Sequence, residues 1–90
     1  MTQKIKYGII GAGSMGREHI RNIEIIDEAE VVGLSDINNG SLQKSLALLK
    51  KNTPTFNNHL DLINKNLADA YIIATPNFSH IEILRDIIKT

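Results

Sequence analysis

Cysteine is absent from these 90 residues, and that gap removes disulfide frameworks, thiolate nucleophiles and cysteine-rich zinc sites together. An excess of either charge is missing as well. Ten basic and ten acidic residues cancel, which leaves no electrostatic case for nucleic acid or an anionic membrane surface. No segment approaches the roughly 18 apolar residues of a membrane span, and Met1 to Lys6 lacks the apolar stretch of a signal peptide. The expected compartment is the cytoplasm. The sequence has no repeat, low-complexity tract or linker. Its three histidines fall on different predicted elements without a carboxylate pair beside them, so no metal site is expected.

What is present suits a soluble globular protein: 42% hydrophobic residues against 22% charged. The length allows one small domain, or part of one. A chain of this size buries roughly two-thirds or less of its unfolded surface, so its stability margin is thin.

Apolar periodicity divides the chain into alternating elements. Residues 5–10 form a first strand, buried on both faces over its second half. Residues 14–26 form a helix, with Met15, Ile20, Ile23 and Ile26 inward and Arg17, Glu18, Arg21 and Glu24 toward water. Residues 31–35 are a second apolar run, as expected of a parallel strand covered by helices. Leu42, Leu46 and Leu49 mark a second amphipathic helix ending near Lys50 and Lys51, where positive charge suits a helix C-terminus. Residues 53–57 make a short strand, placed near an edge by Pro54. Residues 58–65 are a short helix or turn, and 70–74 a buried fourth strand. Ser79-His-Ile-Glu82 is a capping box that opens a last helix with Ile81, Leu84 and Ile88 inward. The fold class is therefore α/β, an incomplete doubly wound parallel sheet of order 3-2-1-4 with helices on both faces.

The densest signal is Gly11-Ala-Gly-Ser-Met-Gly16 directly after the first strand, with Asp36 closing the second strand twenty residues past Gly16. Gly11 permits a sharp strand-to-helix turn, Gly13 lets a pyrophosphate approach the backbone, and Gly16 lets helix and strand pack closely. The helix that starts here aims its unpaired N–H groups and positive dipole end at the phosphates. Asp36 is suited to accept hydrogen bonds from the adenosine ribose hydroxyls. A cap on the following helix is the compatible alternative. A carboxylate at this position repels the extra phosphate of NADP. Ile37-Asn-Asn39 offers no cation, and the next in sequence is Lys44, so NAD is favoured over NADP as cofactor. In a 3-2-1-4 sheet Gly11, Asp36 and Thr75 all fall at the carboxyl edge, where such folds bind ligands.

The element Ile72-Ile-Ala-Thr-Pro-Asn-Phe-Ser-His80, with the glycine loop and His19 in Gly-x-x-His, resembles the N-terminal nucleotide-binding domain of the Gfo/Idh/MocA oxidoreductases over the whole chain. By that resemblance Gly11, Gly13, Ser14 and Met15 line the pyrophosphate, and Asp36 and Ile37 the adenosine ribose. Thr75, Pro76, Asn77 and His80 stand toward the nicotinamide. His19 reads first as a hydrogen-bonded structural histidine, with a cofactor contact as the alternative. His59 reads as an exposed residue near a helix start. The family continues with a strand leading to Glu-Lys-Pro and a second domain that supplies the substrate pocket. Neither is within these residues, so the 90 residues are expected to be the N-terminal portion of the Rossmann domain, inactive alone and marginally stable or self-associating.

For the intact protein the resemblance implies hydride transfer between nicotinamide and a secondary alcohol carbon of a sugar, inositol or similar polyol, in a homo-oligomer. A non-catalytic nucleotide-binding or regulatory module is the competing reading. A Rossmann domain for FAD or S-adenosylmethionine is a third.

Overall fold

The computed structural model describes residues 4–49, 52–75 and 80–89, the last without the side chains of 80–82 and 89. Four strands, β1 (Ile5–Ile10), β2 (Ala29–Ser35), β3 (Thr55–Phe56) and β4 (Ala70–Ile73), form one sheet in the order β3-β2-β1-β4. Every pairing is parallel. Helices α1 (Ser14–Glu24), α2 (Asn39–Leu46), α3 (His59–Asn64) and α4 (His80–Lys89) alternate with them. Among the described residues no helix is long and apolar enough to cross a membrane.

Because successive side chains of a strand point to opposite faces, the adjacent Ile9 and Ile10 serve two separate cores. Ile9 packs with Val31 and Leu34 of β2, Ile20 and Ile23 of α1 and Leu42 of α2. Ile10 packs with Leu62 and Ile63 of α3 and Ile83 of α4. The helices thus cover both faces of the sheet, as the near-continuous apolar strands require.

The elements differ from expectation in several places. Strand β4, expected to be buried, is half-buried at all four of its residues, because as an edge strand it has a neighbour on one side only. Helix α1 stops at Glu24 with Ile25 as its C-cap, so Met15 at its start and Ile26 beyond its end are exposed rather than buried. Helix α2 stops at Leu46, and Leu49 reaches the first core from the turn that follows. The third strand shrinks to two residues after Pro54, which has no N–H to pair and whose carbonyl accepts the Leu34 N–H at 3.1 Å. On α4 the inward residues are Ile83 and Ile87, while Leu84 and Ile88 face out. This helix carries apolar residues on two sides, and periodicity alone did not say which one meets the sheet. Lys50, Lys51 and the capping serine Ser79 lie outside the described residues.

Candidate dinucleotide site

The site begins where β1 runs out. Gly11 has a φ of 100°, in the left-handed region that costs glycine little. A Cβ there would lie 2.8 Å from the Ala74 carbonyl carbon and 2.9 Å from the Thr75 nitrogen, so the glycine is what lets the ends of β1 and β4 meet. Gly16 sits under the same turn, and a Cβ on it would overlap the Gly11 carbonyl oxygen. Gly13 is the opposite case, because nothing lies within 4 Å of where its Cβ would be. It is also the N-cap of α1, makes no side-chain cap, and is followed by a first turn without an acidic residue. The positive end of α1 therefore faces open space along a bare stretch of backbone, which fits a pyrophosphate.

Asp36 is bound into this turn. Its Oδ2 accepts the Ala12 N–H at 2.7 Å, and its Oδ1 accepts the Asn38 N–H at 2.8 Å. The backbone supports the same geometry, with Gly11 N–H donating to the Ser35 carbonyl at 2.8 Å. The cap of α2 is Asn38, whose side chain accepts the Ser41 N–H at 3.0 Å. The capping alternative for Asp36 is thereby answered by its neighbour. Each carboxylate oxygen retains a lone pair for a further donor such as a ribose hydroxyl.

The structure gathers the sequence-predicted residues at one edge of the sheet. Ser14 and Met15 are exposed on the first turn of α1, and Ile37, 89% exposed, follows the acid. Thr75 is half-buried against Gly11. Pro76, Asn77 and the side chain of His80 lie outside the described residues. His19 is half-buried on α1. Among the described residues no three His, Asp or Glu side chains are grouped as a metal site requires.

Sequence reasoning missed two residues behind the glycine turn and misjudged a third. Ser45, fully buried on α2, donates to the Ala12 carbonyl at 2.9 Å, and Arg17 Nη1 donates to the same oxygen at 3.1 Å. A usable signal existed for Ser45, a hydroxyl beside Leu46 and three residues past Leu42 on an otherwise apolar stripe. His59 is not exposed: its Nε2 lies 2.6 Å from Asp86 Oδ2, tying α3 to α4. Burial pushes the Tyr71 phenol above its usual value, which keeps it neutral; its ring packs over Gly8 in the sheet, away from the glycine turn. A polar hollow lined by Lys4, Lys6, Glu30 and Asp69 lies at the other ends of the strands, with charges of both signs.

A parallel sheet with a glycine turn closing β1, an acid closing β2 and a hydrogen bond joining the two is the arrangement of a dinucleotide-binding Rossmann domain. Residues 5–90 match the Gfo/Idh/MocA family, described as an oxidoreductase family with an NAD-binding Rossmann fold, and the chain belongs to it.

The chain is 34% identical over 79 residues to inositol 2-dehydrogenase of Klebsiella pneumoniae, an overlap of 87% of this chain and 23% of that protein. It is 36% identical over 77 residues to glucose-6-phosphate 3-dehydrogenase of Bacillus subtilis, an overlap of 86% and 21%. Myo-inositol dehydrogenase from Lactobacillus casei, solved in complex with NAD(H) and myo-inositol, superposes with a TM-score of 0.89 at 26% identity, covering 98% of this chain and 26% of that one. The chain thus spans about a quarter of the length of the relatives it matches.

Proposed function

We propose that residues 1–90 are the N-terminal portion of a Rossmann domain that holds the adenosine and pyrophosphate of NAD. Gly11, Gly13, Ser14 and Met15 line the pyrophosphate, Asp36 accepts from the adenosine ribose, and Ile37 borders it. Thr75, Pro76, Asn77 and His80 stand toward the nicotinamide. The single observation that carries this reading is the 2.7 Å bond from the Ala12 N–H to Asp36 Oδ2, which joins the ribose acid to the phosphate turn as one unit. NAD is preferred to NADP because a carboxylate already held in that place repels a 2′-phosphate.

The intact protein is an oxidoreductase that moves a hydride between the nicotinamide and a secondary alcohol carbon of a sugar, inositol or similar polyol. Relatives named as acting on inositol and on glucose 6-phosphate support that substrate class. The cofactor supplies the hydride chemistry when bound, and these residues orient it. The substrate pocket and the acid–base groups belong to another part of the protein, so this chain alone is inactive. We further infer a homo-oligomeric, cytoplasmic enzyme.

Calorimetry with NAD, NADP and ADP-ribose on this chain and on Asp36→Ala tests the reading. The expected result is binding of NAD and ADP-ribose, little binding of NADP, and a loss of about tenfold in Asp36→Ala, the worth of one good hydrogen bond. Folded protein that binds none of the three would overturn it.

A further inference from the structure

The Ala12 residue is held from both sides by groups distant in sequence. Its N–H goes to Asp36, while its carbonyl accepts from Ser45 Oγ at 2.9 Å and from Arg17 Nη1 at 3.1 Å. That carbonyl belongs to the same planar peptide as the Gly13 N–H. In a trans peptide the two point in opposite directions, and the described residues contain no cis bond. Holding the Ala12 oxygen inward, toward α2, therefore turns the Gly13 N–H outward, on the side where the Gly13 Cβ position is open. Two donors on the carbonyl also polarise the amide and strengthen its N–H as a donor.

We propose that Ser45, supported by Arg17, is a positioning residue for the pyrophosphate: it fixes the Ala12–Gly13 peptide so that the Gly13 N–H is presented to a phosphate oxygen. The proposal rests on the dinucleotide reading above. Ser45 is fully buried and reaches no ligand itself. Its effect passes through one peptide plane. The adenosine end, held by Asp36, does not depend on that plane's carbonyl. Loss of Ser45 therefore weakens ligands that carry the diphosphate and spares those that do not.

The test is an amide NMR titration of this chain, Ser45→Ala and Arg17→Met with adenosine and with ADP-ribose. Ser45→Ala is expected to weaken ADP-ribose about tenfold, as one hydrogen bond to a charged group is worth, and to shrink the shift of the Gly13 amide on binding. Adenosine affinity stays within about twofold, the size expected for an unperturbed contact. Arg17 is half-buried, so Arg17→Met folds even if the serine variant does not, and it shows the same pattern at about threefold. Equal weakening of both ligands would mean a merely structural serine and would overturn the proposal, as would no change in either. Failure of the unmodified chain to bind either ligand would instead bring down the dinucleotide reading, and the proposal with it.

Discussion

The two faces of the sheet are built by different means. On the α1/α2 face an apolar core of Ile9, Val31, Ile20 and Leu34 continues into a polar cluster, in which the buried hydroxyl of Ser45 and the carboxylate of Asp36 both bond to Ala12. On the α3/α4 face the core of Ile10, Leu62, Ile63 and Ile83 has no such continuation among the described residues. Its polar tie, His59 to Asp86, joins two helices at the periphery. All four residues of β4 are only half-buried, and Leu84 and Ile88 are 50% and 76% exposed on α4. The first face is closed around a turn held by hydrogen bonds from Asp36, Ser45 and Arg17. The second holds its helices by packing, and much of its apolar surface remains open. Hydrogen bonds thus gather at the glycine turn, and interactions that position a ligand gain from groups already locked by their neighbours.

The sharpest way to break the comparison is Gly16→Ala. A methyl there would overlap the Gly11 carbonyl, which is backbone and cannot step aside without moving the turn. Overpacking of this kind costs about 3 kcal/mol, a large part of the margin of so small a domain. Urea denaturation should show that loss, and no dinucleotide binding should survive it. A variant that binds normally would mean that the turn is softer than its contacts imply.

The second face is sharpened by contrasting its inside and outside. Leu62 is fully buried, and Leu62→Ala should cost about 3 kcal/mol in transfer and cavity terms. Leu84→Gln with Ile88→Gln, on the same face but turned away from the sheet, should change the unfolding free energy by no more than about 0.5 kcal/mol. A large loss from the double variant would show that α4 buries its outer stripe in solution, and the contrast between the faces would shrink.

That stripe also marks where the sequence stops being legible. Strand order, the alternation of elements and the carboxyl-edge meeting of Gly11, Asp36 and Thr75 follow from spacing and periodicity, because each strand is a short apolar run bounded by a glycine, an acid or a polar cluster. Helix α4 defeats the same reasoning: Ile81, Leu84 and Ile88 form as good a stripe as Ile83 and Ile87, and the choice is made by the α3 residues it meets. Asp36 was readable as an acid at the end of β2. Its bond to Ala12 was not, because it depends on how two strand ends come together across 24 residues. Ser45 shows the same limit from the other direction. A hydroxyl on an apolar stripe announces a buried partner without naming it, and the partner lies 33 residues away.

A small effect is expected from a second buried serine, and its sign is the informative part. Ser35 is 1% exposed and ends β2 beside Leu34, whose side chain enters the α1/α2 core, so alternation turns Ser35 to the other face. Its backbone serves the site through the carbonyl that accepts from Gly11, yet its hydroxyl has no partner among the described residues. A buried hydroxyl without a partner has given up its hydrogen bonds to water for nothing. Ser35→Ala keeps the Cβ and the carbonyl and removes only that liability, so stability should hold or rise by up to about 1 kcal/mol. Ser45→Ala removes a donor that the Ala12 carbonyl uses, so it should fall. Paired denaturation curves for the two variants thus measure the difference between the faces with the same chemical change. A loss from Ser35→Ala as large as that from Ser45→Ala would mean that bound water completes the Ser35 hydroxyl, and that the second face carries its own polar support.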